Sequence, residues 1–250
     1  MTVERINPQF SNWLEFGHEH HQRYEFFKNY YSGKTILDIA CGIGYGSNYI
    51  INSGAKEVVG VDVSEEAIKY CKSKYENPNL KFIRYDAQTV NELDKKFDVI
   101  VSFETIEHLP DQEKFLSAIS KSLIDDGILI CSTPNKKRGS ELGVINPFHL
   151  KELSYLEFRK MFEKYFTPIT AYHQSESVSY FRYMDLKNDI KNLQNNINAR
   201  LIVRIENIFR KIFNRRVHPW PFINQKLHYQ YEGDMIIEEM TQDENWHKTF

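Results

Sequence analysis

Cysteine is scarce in this chain, with three among 250 residues, at positions 41, 71 and 131. An odd number spread so far apart gives no disulfide framework and no metal-ligand spacing; it fits free thiols in a reducing cytoplasm. A dominant charge is also lacking. The 32 basic and 34 acidic residues leave a net charge of −2, so no overall basic field exists to attract nucleic acid. No apolar run reaches the ~20 residues needed to span a bilayer, and MTVERINPQF (1–10) has no apolar segment of a secretory signal. What is present is 41% hydrophobic and 14% aromatic residues. That is enough for a sizeable core in one large domain, or one domain with an appendage.

Short apolar segments alternate with helical patterns from residue 35 onward. TILDIA (35–40), EVVGVDV (57–63), LKFIRY (80–85), FDVIVSF (97–103) and ILICST (128–133) read as strands, and a sixth is expected within 168–181. Residues 44–54 read as a helix closed by Gly54. Ser64, followed by Glu65 and Glu66, caps a helix to about Tyr75, which Pro78 stops. Asp111 caps another to Leu123, with a turn at Asp126-Gly127, and Ser154 with Glu157 forms a capping box for a helix ending near Tyr165. The alternation predicts an α/β fold, a doubly wound, mostly parallel sheet of the Rossmann-like kind. Such sheets bind ligands at the C-terminal strand ends, beside the topological switch point.

Two flanks fall outside the repeat. Residues 10–31 carry eight aromatic side chains around His18, His20 and His21 and predict a helical lead-in. Residues 184–216 predict one long amphipathic helix, with Leu186, Ile190, Leu193, Ile197, Leu201, Ile205, Ile208 and Ile212 on a stripe, ended by HPWPF (218–222). The expected organisation is a lead-in or lid at 1–32, a core at 33–182, a helical insertion at 183–222 and a C-terminal strand and tail at 223–250. Packing of the 184–216 stripe as a cap over the acceptor, contact in a homodimer, and docking of the basic half 200–216 on an anionic membrane are its possible uses.

Gly42, Gly44 and Gly46 alternate just after the first strand. A dinucleotide turn wants G-x-G-x-x-G, whereas here the spacing is G-x-G-x-G and Ser47 stands in the place of the third glycine. Asp38, at the end of the strand, would repel a pyrophosphate and suit a cation. Asp62, ending the second strand, can accept both hydroxyls of a ribose. Asp86, after the third, is placed to bond an adenine amino group or to order its loop. Together they describe a cationic adenosine ligand without phosphates, which fits S-adenosylmethionine.

The runs DIACGIGYG, VGVDVS, RYDA and FDVIVSFETIEHLPD, over roughly residues 33–135, resemble the class I S-adenosylmethionine-dependent methyltransferases. H-x-x-R-Y around Arg23 and Tyr24, and NPFHLKELS (146–154), are similar to small-molecule O-methyltransferases that modify bacterial surface polysaccharides and sugars. The resemblance implies that Asp38, Ala40, Gly42, Gly44 and Gly46 wrap the methionine portion. It implies that Asp62 holds the ribose, that Val63, Asp86 and Ala87 flank the adenine, and that Arg23 and Tyr24 reach the methionine carboxylate. Glu104 would lie near the sulfonium or the acceptor mouth. The implied partner is a small-molecule or glycan acceptor, methylated on a sugar, sugar-nucleotide or surface-glycan hydroxyl or a phosphate-type oxygen, with S-adenosylhomocysteine as product.

Methyl transfer from a sulfonium is an in-line displacement in which alignment does most of the work. A hydroxyl acceptor also needs a base, and histidine is the usual choice near neutral pH. His108 is the first candidate, His149 the second and Glu104 a carboxylate alternative. A structural cap at His108 and a turn-stabilising role at His149 are the bland readings. The H-E-H-H run reads as a solvated helix face and Cys41 as a small apolar filler. Glu104 and Glu107 could hold a divalent ion, but nothing in the spacing demands one, and no metal site is expected. Two rivals remain: an NAD-dependent oxidoreductase or epimerase, which would share Asp62 but need the third glycine, and a non-catalytic partner-binding module that kept the fold.

Overall fold

A computed structural model describes residues 18–136, 146–167, 169–175 and 236–239. The expected long helix at 184–216, HPWPF (218–222), the tail after 240 and the first part of the lead-in lie outside the described residues. The chain divides into two units, 1–169 and 170–250.

The first unit holds a five-stranded sheet in the order β3-β2-β1-β4-β5. Its strands are β1 (Thr35–Ile39), β2 (Glu57–Asp62), β3 (Leu80–Arg84), β4 (Phe97–Phe103) and β5 (Leu123–Ser132), and all four pairings are parallel. The helices are α1 (His18–Phe26), α2 (Tyr45–Asn52), α3 (Glu65–Lys74), α4 (Gln112–Ser122) and α5 (Tyr155–Phe162). Strand residues alternate between two faces, and each face has its own core. Ile36, Val58, Val99 and Val101 pack with Ile50 and Ile68 on one side, while Leu37, Val59, Val61 and Ile100 pack with Phe115, Ile119 and Phe162 on the other. Burial on both faces explains why the strands read as continuous apolar runs.

The caps form where the sequence puts them. The Ser64 hydroxyl accepts from Ala67 N, Asp111 accepts from Lys114 N, and Ser154 and Glu157 close a complete capping box.

Two expectations need correction. β5 begins at Leu123, directly from α4, and its pairing with β4 jumps from Phe97↔Leu123 to Val99↔Ile128. The Asp126-Gly127 turn is therefore a bulge inside a strand, not a connection ahead of one. The sixth strand, β6 (Tyr172–Ser175), belongs to the second unit. It pairs antiparallel with β7 (Ile236–Glu239) in a separate two-stranded sheet and does not continue the parallel repeat.

The strand order reverses between β1 and β4, which lie side by side. Their C-terminal ends are the switch point, and the chain leaves both in left-handed backbone. Ala40 has φ 55° and Glu104 φ 50°.

Candidate functional site

The loop after β1 answers what its glycines are for, and the three differ. Gly46 faces the Tyr24 ring so closely that a Cβ there would lie 2.1 Å from its Cζ, and a Cβ at Gly44 would lie 2.8 Å from Cys71 Sγ and Phe82. Those two glycines make room for the protein's own side chains. Gly42 has φ 54° with nothing within 4 Å of a Cβ position, so of the three it is the one beside open space. Ala40, exposed at the strand end, borders the same opening. The Cys41 and Cys71 thiols both lean on the Gly42 carbonyl, so Cys41 is a buried filler, as expected.

Asp38 departs from its expected role. It is completely buried, with one oxygen accepting from Tyr24 OH at 3.2 Å and the other from Ser47 Oγ at 2.6 Å. Both oxygens are turned to the protein, so Asp38 anchors α1 and α2 to the sheet and does not face a ligand cation. Tyr24, spent on that bond and buried, is likewise not turned to a methionine carboxylate. Burial pushes the Asp38 carboxyl up to about 7, against the hydroxyl bonds that favour its charged form. Ser47 thus has a positive function where a dinucleotide turn has glycine.

Asp62 remains at the opening, 8% exposed, oriented by Gly42 N at 2.9 Å and Ser64 N at 2.8 Å. Each carboxylate oxygen has two lone pairs, which leaves acceptor capacity for ribose hydroxyls. Beside it Val63 is 66% exposed, an apolar surface that suits a flat ring. Asp86 is exposed and caps the short 3-10 turn Ala87–Leu93 by accepting from Gln88 N. Ala87 is half-buried in that turn.

At the end of β4, Glu104 accepts from Ser132 Oγ at 2.7 Å and pairs with Arg23 at 3.0 Å. Burial alone would raise its carboxyl. Arg23, His20, the Ser132 bond and His149 outweigh burial and hold it below the ordinary carboxylate range. Glu104 is therefore an ionised group and a poor proton acceptor. Arg23 reaches this strand end from α1 and also contacts Ser132. The H-E-H-H run is not a uniformly solvated face. Burial, with Arg23 nearby, drives His20 down to about 4, and the His21 ring packs edge-on against Tyr49 at 5.0 Å.

His108 ends the 3-10 turn Ile106–His108, and the 146–152 loop brings His149 to it. The loop is held by Leu150 N and Lys151 N donating to Glu107 O, and by Gln112 Nε2 donating to both Ile106 O and Lys151 O. The two imidazoles meet edge-to-face at 4.9 Å. His108 Nδ1 lies 3.0 Å from Phe148 O, which can only accept, so in the neutral ring Nε2 carries the lone pair. His149 Nδ1 is held by Glu152 and its Nε2 faces the Asn146 amide nitrogen at 3.0 Å. Glu107 is completely buried, with one oxygen on Thr133 Oγ1 and the other 3.8 Å from His108 Nε2. Burial first, then repulsion from Glu104, pushes its carboxyl up to about 8. Ser132, Thr133 and Glu152 were not legible as site residues, and Glu107 was legible only as a candidate ligand of a divalent ion.

The donor set at these strand ends is acidic. Asp62, Asp86 and Glu104 stand against Arg23, which is itself paired with Glu104. That suits a cationic nucleoside and not a pyrophosphate, so the residues present fit S-adenosylmethionine.

Residues 37–131 match the family model described as a methyltransferase domain. A protein of Mycolicibacterium smegmatis named a probable S-adenosylmethionine-dependent methyltransferase is 30% identical over 166 residues, 65% of this chain and 63% of that protein. The ubiquinone biosynthesis O-methyltransferase of Psychrobacter arcticus is 31% identical over 153 residues, 58% of this chain and 59% of its own length. The chain spans less than two thirds of the length of these curated relatives. A solved S-adenosylmethionine-dependent methyltransferase from Archaeoglobus fulgidus matches with a TM-score of 0.57, 22% identity, and coverage of 68% of this chain and 79% of that one. The sheet order, the flanking helices and this match make the fold the Rossmann-like class I methyltransferase fold.

Proposed function

We propose that this chain is an S-adenosylmethionine-dependent methyltransferase that methylates an oxygen of a small-molecule acceptor, of the sugar, sugar-nucleotide or surface-glycan class. The observation that carries the reading is the acidic, phosphate-averse set of strand ends at the sheet's switch point, with two imidazoles on the β4 side. When bound, S-adenosylmethionine supplies a methyl group on a sulfonium whose departure leaves a neutral thioether. Asp62 would take the ribose hydroxyls, Val63 and Ala87 the adenine faces, and the open Gly42 backbone the methionine portion. Glu104, kept ionised by Arg23, places negative charge where a sulfonium is stabilised. His108 presents the Nε2 lone pair to the acceptor side, and His149 buttresses it. The acceptor hydroxyl would lose its proton there as the new bond forms.

The sugar class rests on the similarity of 146–154 and H-x-x-R-Y to sugar-modifying enzymes. A quinone-type phenol is the second reading, favoured by the Psychrobacter arcticus relative. Three free thiols support a cytoplasmic setting, and among the described residues no helix is long and apolar enough to cross a membrane. The cap, homodimer and membrane uses of 184–216 stay proposals about residues outside those described.

The test is label transfer from methyl-tritiated donor to panels of sugar nucleotides, glycan fragments and dihydroxy-phenols, read by mass spectrometry. Transfer to a sugar hydroxyl is expected. His108→Ala should lower turnover about 10²–10⁴-fold with S-adenosylhomocysteine affinity within a few-fold. Transfer to phenols alone would replace the acceptor class, and stabilisation by NAD instead of S-adenosylhomocysteine would overturn the reading.

A further inference from the structure

We infer that Glu107, His108 and His149 form a binding site for one divalent first-row transition cation. The inference departs from the expectation of no metal, and it starts from a buried, unmatched oxygen. Glu107 is completely buried, and while its Oε2 accepts from Thr133, its Oε1 has no hydrogen-bond partner. A buried carboxyl oxygen left unmatched is costly. That oxygen faces His108 Nε2 at 3.8 Å, too long for a hydrogen bond. The facing nitrogen carries a lone pair, because Nδ1 is turned to the Phe148 carbonyl. No hydrogen bond joins the two groups, and a cation between them would match both.

The third ligand comes from the other loop. One ligand atom each from Glu107, His108 and His149 lie within 4.8 Å of one another. Bonds of about 2.1 Å to nitrogen and oxygen would draw such atoms slightly closer together. Each imidazole also has the outer partner that metal-bound histidines have. Phe148 O holds His108 Nδ1, and Glu152 holds His149 Nδ1, fixing both rings with Nε2 as the free donor. The Asn146 amide nitrogen now lies on His149 Nε2 at 3.0 Å; the ion must displace it, and that sets its competitor. Two imidazoles and one carboxylate suit Mn²⁺, Fe²⁺, Co²⁺ or Zn²⁺ better than Mg²⁺ or Ca²⁺, which prefer oxygen.

The role of the ion rests on the methyl-transfer reading, whereas its binding does not. An acceptor oxygen bound to the cation loses its proton more readily. With its Nε2 on the ion, His108 would be a ligand in place of the base proposed above, and the proton would pass to solvent water.

The test uses the full chain, freed of metal by chelation. Mn²⁺ is titrated with the free ion read by electron paramagnetic resonance, and Co²⁺ is followed by its visible absorption. One ion per chain is expected. Glu107→Gln and His149→Ala, each confirmed folded by circular dichroism, should weaken it about 10- to 100-fold or more, with S-adenosylhomocysteine affinity within a few-fold of the unaltered chain. No saturable binding of Mn²⁺, Co²⁺ or Zn²⁺, or binding that survives both substitutions, would overturn the site. Loss of S-adenosylhomocysteine binding in the unaltered chain would instead break the methyltransferase reading and leave the cation result standing.

Discussion

At the ends of β1, β2 and β3 most of the carboxylate bonds come from backbone N–H groups. Asp62 accepts from Gly42 N and Ser64 N, Asp86 from Gln88 N, and Asp38 from Ser47 Oγ as well as Tyr24. On the β4 side the carboxylates are held by side chains from far along the chain. Glu104 meets Arg23 and Ser132, and Glu107 meets Thr133 and faces His108. The first side is made largely by backbone geometry, so it is rigid and uniform in kind. The second depends on a distant loop docking correctly, and it keeps one acceptor unmatched. A site that must accept many adenosine donors of one kind can be built the first way. A site that must choose among acceptors can be varied the second way without disturbing the sheet.

The largest effect that would sharpen this contrast concerns Asp38, the one β1-side acid that is buried outright. Its folded value of about 7 lies above the ~3.9 of an unfolded chain. Between those two values the native state keeps a proton that the unfolded state has released. Stability from this group is therefore fully present below pH ~4, falls as pH rises to about 7 and is level above, by on the order of 4 kcal/mol in total. Asp38→Asn should flatten the slope of urea-derived unfolding free energy over that window relative to the unaltered chain. Parallel slopes would show that hydroxyl bonding, and not burial, sets Asp38.

A smaller effect separates the glycines. Gly44→Ala combines left-handed strain with a Cβ 2.8 Å from Cys71 and Phe82, and should cost about 2–4 kcal/mol of stability. Gly42→Ala meets open space and should cost about 1 kcal/mol, while losing the greater share of S-adenosylhomocysteine affinity. Thermal melts and calorimetry on both variants decide it; equal losses of stability would erase the distinction. Asp62→Ala is expected to weaken donor affinity by about 1.5–3 kcal/mol per charge-assisted bond lost in a chain that still folds. Unchanged affinity by calorimetry would take Asp62 out of the site and break the β1–β2 half of the comparison.

The same contrast governs what could be read without coordinates. Strands and caps are set by residues within a few positions of one another, so β1 to β4 and the Ser64, Asp111 and Ser154 caps were legible. β5 was misjudged at its start because Asp126-Gly127 is a turn signal that the sheet absorbs as a bulge. β6 was misassigned because its partner lies beyond residue 235. Asp38 was given to the ligand because nothing local announces that Tyr24, from the preceding helix, takes one of its oxygens. The burial of Glu107 was hidden between Ile106 and His108, where a charged residue reads as exposed, and its partner Thr133 follows one strand later.

Ala40 and Glu104 occupy left-handed backbone at the ends of adjacent strands, where glycine would rest more easily. The strain, about 1–2 kcal/mol each, exceeds the ~0.5–1 kcal/mol that glycine loses to chain entropy. Selection for heat resistance alone would carry Ala40 toward glycine, whereas Glu104 also pairs with Arg23, and its loss would leave that largely buried charge unmatched. Selection for turnover would let Ala40 drift that way and retain the acid at 104. A lineage that had abandoned its substrate would therefore betray the loss by changing position 104 together with its partner Arg23.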